Sequence, residues 1–434
     1  MWTTFDTAIV ATGAIAAMSC ALPGCFLLLR RSSMMGDAIS HTVLPGIAAA
    51  YLLTGSRDSL PMFVGAIVVG VLTALLIQAV QRGGQVEEGA AMGVVFTSLF
   101  ALGLVMIRRA ADHVDLDPSC VLYGALELAP LDTVSVGGWD IPRAAISSGA
   151  LLLINAVFIG IFYKELKLCA FDPGYARTQG IPVGALNLAL MTLIAATTVA
   201  AFESVGSILV IAMLIVPAAT AYLMTDRLPI MLVGSLVFGA LSAALGHGMV
   251  VWMVDGLGLP DTSSAGMTGV AAGILFVAMA LGSPKYGILM RAARSLQLAL
   301  GIARDDVLAY LYRHGELDPL GTRPRPTASN LREAIRARVA VSAAIWQLRN
   351  RRLLAAEGGG IALTPAGRDT ARGLVRSHRL WETYLVEKLG LRPDHVHSTA
   401  EVLEHITDRT MRESLSRETG DAPRDPHRSS IPPE

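Results

Sequence analysis

Asp37 and His41 stand four residues apart in Gly36-Asp37-Ala38-Ile39-Ser40-His41, at the start of an apolar segment. On a helix such a pair shares one face, with Cβ atoms about 6 Å apart, so one carboxylate oxygen and one imidazole nitrogen can meet one ion. Mixed O/N ligation suits Mn²⁺, Fe²⁺ or Zn²⁺, whereas Cu(I) would want sulfur. The same residue types return in the polar C-terminal third. His378 and Glu382 are again i and i+4; Glu401, Glu404 and His405 share a face at i, i+3 and i+4; His397 lies one turn before Glu401. Two helices with facing carboxylates and imidazoles can hold one or two divalent ions.

Plainer readings exist for both sets. Asp is a common helix-start residue, so Asp37 can be a cap and His41 a satisfied core histidine. Glu401 to His405 can be a solvated, salt-bridged helix face. An acid–imidazole pair inside a bilayer is costly, however, and asks for a function. Glu203 and His247 are further ionisable residues at or near apolar segments.

The elements that must position these residues fall into two regions. Of 434 residues, 53% are hydrophobic, and the zero formal net charge hides a sharp asymmetry. Up to about residue 285 the chain is a series of apolar stretches of roughly 20 residues, each sufficient to cross a bilayer. Spans are expected near 7–29, 35–54, 62–80, 90–107, 146–163, 183–201, 206–224, 230–252 and 266–282. That is nine crossings, or eight if one segment is re-entrant; the split between 183–201 and 206–224 rests on a short polar break around Glu203. The N-terminal apolar run lacks a basic leader and a cleavage site, and reads as a retained span. Arg30, Arg31, Arg82, Lys164, Lys167, Arg177, Arg227 and Lys285 fall on one side, against Arg57, Arg108, Arg109 and Arg143 on the other. This bias puts the N-terminus outside and the C-terminal region in the cytoplasm. Cys20, Cys25, Cys120 and Cys169 form neither a CxxC pair nor a ligand set.

The connection 164–181 carries Phe171-Asp172-Pro173-Gly174, a turn or helix start, and Gly180 before Pro182 stops a short helix. Such a helix could dock a motor subunit or be an ordinary interfacial loop. No GxxxxGK[ST] sequence occurs, so the chain does not supply a nucleotide site by that motif.

Beyond Lys285 the expectation is a helix over 286–313, a proline-rich break at 321–326, a helical pair at 327–336 and 339–353, and a hairpin over 356–364. Helices resume at 366–389 and 397–415, and the tail 416–434 is polar and poorly ordered. Helix–turn–helix followed by a hairpin is a winged-helix pattern. Arg336, Arg338, Arg349, Arg351 and Arg352 cluster around its presumed recognition helix, as DNA phosphates or anionic lipid would require. The expected domains are 1–285 (transmembrane), 286–300 (linker helix), 301–372 (winged helix), 373–415 (metal-binding and dimerisation helices) and 416–434 (tail). The fold class is an all-α polytopic membrane protein with a C-terminal winged-helix domain and a helical metal-binding region.

Gly36-Asp37-Ala38-Ile39-Ser40-His41-Thr42-Val43-Leu44-Pro45-Gly46 resembles the signature of permease subunits of bacterial manganese/zinc/iron ABC importers. Phe171-Asp172-Pro173, and Val205-Gly206-Ser207-Ile208-Leu209-Val210 continuing to Pro217-Ala218-Ala219-Thr220-Ala221, are similar to that family's other hallmark stretches. The resemblance covers about 5–285. It implies a multi-pass protein of a bacterial inner membrane with Asp37 and His41 as transport-site ligands. It also implies a second permease subunit, identical or not, an ATPase pair docking at 164–181, and an extracytoplasmic metal-binding protein.

Residues 300–415 resemble the diphtheria-toxin-repressor family of metal-dependent regulators. Leu363-Thr364-Pro365-Ala366-Gly367-Arg368 is similar to its wing exit, and His378, Glu382, His397, Glu404 and His405 fall in its ligand helices in order. Glu401 stands where manganese-type members carry Glu and iron-type members Cys. Asp306 matches the N-terminal-helix ligand of the manganese type, but Ala309 lacks the second carboxylate found there. The resemblance therefore implies one strong site from Asp306, His378, Glu401, Glu404 and His405, with Glu382 and His397 as further candidates. The expected function is the permease of an importer for manganese, or for zinc or iron, with a cytoplasmic metal sensor gating uptake. The alternative is a membrane-anchored, metal-dependent, DNA-binding regulator.

Overall fold

The computed structural model describes residues 2–55, 59–111, 126–136, 138–258, 263–318, 323–335, 338–420 and 422–434. The chain forms two compact units, Met1–Met290 and Arg291–Glu434.

The first unit is a helical bundle. Its helices are α1 (Thr4–Leu29), α2 (Met34–Thr54), α3 (Ser59–Gly84), α4 (Glu88–Ala111), α5 (Arg143–Ile161), α6 (Tyr163–Phe171), α7 (Pro173–Thr178), α8 (Val183–Val205), α9 (Ser207–Tyr222), α10 (Leu228–Leu257) and α11 (Ser264–Gly282). Helix α1 is central and packs against α5, α8, α9 and α10. It is rich in small residues (Ala16, Ala17, Cys20, Ala21), all fully buried, which lets neighbouring backbones approach. Gly24 is the extreme case: a Cβ there would overlap the Leu214 carbonyl of α9. Buried Asn155 of α5 donates to the Ser19 carbonyl of α1 at 3.1 Å and to Thr197 Oγ1 of α8 at 2.9 Å, tying three helices together where no water is available.

Among the described residues, seven helices are long and apolar enough to cross a membrane. The chain is a multi-pass membrane protein. Of the nine segments expected, the two that are not among these seven have separate reasons. Helix α2 spans 21 residues but carries Asp37, Ser40, His41 and Thr42. Helix α9 has only 16 residues. The break before α9 is set by Gly206, at φ 83°, a backbone state open to glycine without strain. An antiparallel hairpin, β1 (Thr133–Val136) with β2 (Trp139–Pro142), leads into α5 and departs from the all-helical expectation for this unit.

The second unit comprises α12 (Ile288–Glu316, its first three residues belonging to the first unit), α13 (Ala328–Ala334), α14 (Arg338–Asn350), the hairpin β3 (Leu354–Glu357) and β4 (Gly360–Leu363), α15 (Pro365–Glu387), α16 (His397–Glu404) and α17 (Arg409–Glu418). Val307, Leu308 and Leu311 of α12 share one apolar core with Leu331, Val341, Ile345, Leu348, Leu354 and Ile361. Helix α12 starts at Ile288, two residues into the expected linker helix, 286–300, and runs unbroken through the rest of it. The single helix expected over 397–415 is two, because Asp408 caps a new start: its Oδ1 accepts the Met411 amide at 2.7 Å. The tail is not loose. Arg376 donates to the Pro432 carbonyl at 2.6 Å, and Arg379 donates to the Ser430 carbonyl at 2.5 Å and approaches Asp425 at 3.6 Å.

Candidate metal sites

Asp37 lies in the first turn of α2 but does not cap it; the N-cap position is Ser33, which makes no side-chain cap. Its Oδ1 instead lies 3.3 Å from His41 Nε2, both side chains being partly exposed. The His41 ring packs at a tilt against Phe96 and edge-on to Phe100, both of α4, at centroid distances of 5.7 and 5.9 Å. The pair is therefore a polar spot with an apolar wall on one side. His247 has a different setting. It is buried, its Nδ1 lies 2.9 Å from Ser264 Oγ and its Nε2 lies 2.9 Å from Asp6 Oδ1, so both ring nitrogens are engaged. The Glu203 side chain lies outside the described set.

At one end of the bundle, Asp172 caps α7 by accepting the Tyr175 amide at 2.8 Å, with Pro173 at the first helical position. Phe171 is exposed. Phe171 and Pro173 border a cavity of about 1330 Å³ together with Arg30, Arg31, Gln81 and Arg177.

In the second unit the expected ligands form two adjoining groups. The first is His378, Glu382 and His397. His378 Nε2 lies 3.1 Å from Glu382 Oε1 and 3.1 Å from His397 Nδ1, and His397 Nδ1 lies 2.8 Å from the same Oε1. The second is Asp306, Glu404 and His405, with His405 Nε2 3.5 Å from Asp306 Oδ1. His378 touches both groups: its Nδ1 lies 2.6 Å from Glu404 Oε2. These two atoms are buried and face each other outside hydrogen-bond geometry. Buried nitrogen and oxygen atoms left in that state, within a thiolate-free donor set, fit a divalent cation. Glu401 is exposed and belongs to neither group.

The electrostatics follow from crowding. Burial pushes the Asp306 carboxyl up to about 6, with Glu404, Glu401 and Asp305 adding repulsion that His405 only partly offsets. Burial also opposes ionisation of Glu382, yet its hydrogen bonds to His378 and His397 pull it down to about 2. His378 is raised: burial works against its charged form, but Glu382 and Glu404 outweigh it. His405 is raised chiefly by its hydrogen bond to Asp305.

Three contributors carry no spacing signal. Asp305 Oδ2 approaches His405 Nδ1 at 3.3 Å, and only its adjacency to Asp306 could have flagged it. Arg313 lies 3.8 Å from Glu404, and His427, from the tail, lies 3.7 Å from Glu382. Among the arginines, Arg349, Arg351 and Arg352 are exposed at the end of α14 and in the turn beyond it. Arg336 lies outside the described residues, as does the side chain of Arg338.

Residues 1–282 match the family described as ABC 3 transport family. Residues 364–433 match the domain described as "Iron dependent repressor, metal binding and dimerisation domain". The chain is 43% identical over 295 residues to "Manganese transport system membrane protein MntD" of Bacillus subtilis, covering 68% of this chain and 97% of the relative. It is 38% identical over 296 residues to "Zinc transport system membrane protein TroD" of Treponema pallidum, covering 68% and 79%. Among solved structures, PsaBC from Streptococcus pneumoniae in complex with Fab superposes with a TM-score of 0.54 at 30% identity, covering 65% of this chain and 94% of that one. With its multi-span bundle and a family match over 1–282, the chain belongs to the ABC 3 transport family. It is a membrane permease subunit of an ATP-binding-cassette transporter rather than the ATPase, and its C-terminal region resembles the metal-binding domain of metal-dependent repressors.

Proposed function

We propose that this permease carries a divalent transition metal, with manganese as the first candidate and zinc and iron as the others. The observation that carries the reading is the Asp37–His41 pair on α2, at 3.3 Å, in a bundle whose relatives are named for manganese and zinc transport. Two strong ligands bind a passing ion without caging it, so the ion can leave. Phe96 and Phe100 hold the imidazole and exclude water from one side of it. The partly exposed side of the pair leaves room for water or a second subunit to complete the coordination. The C-terminal region is cytoplasmic by the positive-charge bias of the loops. A cytoplasmic ATPase pair docks at Phe171, Asp172 and Pro173, beside the arginine-lined cavity, and an extracytoplasmic metal-binding protein delivers the ion. Replacing both Asp37 and His41 by Ala should abolish metal accumulation in cells while leaving the protein in the membrane. Undiminished accumulation would overturn the reading.

The second unit is proposed as a metal sensor that gates uptake. Asp306, Glu404 and His405 would hold one divalent cation, and His378, Glu382 and His397 a second or an alternative. A bound cation would neutralise the carboxylates these helices crowd together. His378 links α15 to α16 in either case, and Asp305 holds the His405 ring. Such binding biases the permease only by differing in strength between its states. Helices α13 and α14 with the β3–β4 hairpin support a winged-helix reading, and exposed Arg349, Arg351 and Arg352 favour DNA binding as the second function. Under gating, Glu404→Ala raises uptake when cytoplasmic metal is high; under repression, uptake is unchanged and promoter binding is lost.

A further inference from the structure

Arg313 stands on α12 two turns after Asp306, a spacing of i and i+7 that returns to the same helix face. Ala309 lies between them on that face; it is buried and offers no ligand atom. The face thus carries a carboxylate, then a methyl group, then a guanidinium. Arg313 Nη2 lies 3.8 Å from Glu404 Oε2, the oxygen that also faces His378 Nδ1 at 2.6 Å. Arg313 further borders a cavity of about 370 Å³ with His378, Glu382 and His397, so it adjoins both groups of candidate ligands.

The cations around these groups differ in kind. Among the described residues, Asp305, Asp306, Glu382 and Glu404 are approached by His378, His397, His405, His427 and Arg313. A histidine can release its proton and turn a lone pair toward a metal. The guanidinium can do neither, because it stays charged and has no acceptor atom. Arg313 therefore cannot join a coordination shell. It can only compensate Glu404 or repel the cation that replaces it. Glu404 is 3% exposed, and a buried carboxylate left without a partner is costly, so the metal-free state needs this charge. The Arg313 side chain is 37% exposed, which gives its charged head a route to water when a metal takes its place.

We propose that Arg313 is a tethered counter-ion of Glu404 that a divalent metal must displace, and that this competition sets the metal level at which the second unit responds. The proposal rests on the sensor reading above and adds what holds the metal-free state. The test is calorimetric titration of Mn²⁺ into the full-length chain in detergent, with Asp37 and His41 replaced by Ala so that the transport pair does not contribute. Arg313→Met, which keeps an apolar stem and removes the charge, should bind Mn²⁺ about 10-fold more tightly than this parent chain, more than an exposed ion pair contributes and less than a buried one. Its urea midpoint in chelator should fall, because Glu404 then keeps its charge without that partner. Arg313→Lys, which keeps the charge, should retain the parent affinity. Arg372→Met, whose arginine pairs with Asp369, should change neither readout. A gain in metal affinity together with a loss of metal-free stability is not what mere damage to the fold produces. Unchanged or weaker Mn²⁺ binding by Arg313→Met, beside a parent chain that binds, overturns this proposal alone. So does an equal gain from Arg313→Lys. Absence of binding by both the parent and Arg313→Met overturns the sensor reading, and this proposal with it.

Discussion

Asp306→Asn should shift the stability of the second unit in opposite directions without and with metal. The folded protein raises this carboxyl from 3.8 to about 6. The folded state therefore holds the proton more tightly than the unfolded chain. The resulting penalty is absent below about pH 4, grows between pH 4 and 6 and is complete above 6. A gap of about two units at ~1.36 kcal/mol each makes it about 3 kcal/mol at pH 7.5 and about 1.5 kcal/mol at pH 5. The side chain is 23% exposed, so screening removes only part of this. Removing the charge relieves the penalty in metal-free protein. With ~1–3 kcal/mol per M for urea, the unfolding midpoint rises by about 1–3 M at pH 7.5 and by about half that at pH 5. Saturating Mn²⁺ reverses the order, because the wild type gains binding energy that the variant forfeits. Urea-pulse proteolysis of the full-length chain in detergent, read on C-terminal fragments with chelator or Mn²⁺, measures both effects. A lower metal-free midpoint for Asp306→Asn at pH 7.5, or a gain that does not shrink at pH 5, refutes the reasoning.

Asp305→Ala frees the His405 ring and should weaken Mn²⁺ binding to the Asp306–Glu404–His405 group by roughly 10–100-fold in a calorimetric titration; unchanged affinity would remove Asp305 from its proposed orienting role. Glu382, lowered to about 2, gives stability that is present above about pH 4.5 and lost as pH falls toward 2, about 3 kcal/mol in all. Glu382→Gln should abolish that acid-dependent loss in metal-free protein, seen as a flatter stability profile across this window. Gly24→Ala drives a methyl into the Leu214 carbonyl and should leave little monodisperse protein in detergent, whereas Gly160→Ala, with open space around it, should behave as wild type.

Local spacing made much of this legible. Asp37 with His41, and His378 with Glu382, are i and i+4 on single helices, so helical geometry alone puts each pair on one face. Hydropathy likewise announced the apolar helices, because a bilayer imposes length and composition together. Less was visible where the signal depended on chemistry within a helix: α2 carries polar ligands, and α9 is cut short by Gly206.

Convergence of distant segments was decided by the tertiary structure. Asp306 on α12, His378 on α15 and Glu404 on α16 come together only because α12 and α15 share a core and α16 packs on α15, and this packing divides the expected single site into two groups joined by His378. Glu401 shares a helix turn with Glu404 yet is exposed and outside both groups, though near enough to Asp306 to add to its repulsion. Arg379 anchors the tail, and the tail brings His427 toward Glu382. A sequence fixes what lies within one helical turn because backbone geometry is local. Which turns face each other depends on burial summed over the whole unit, and no spacing along the chain encodes that sum.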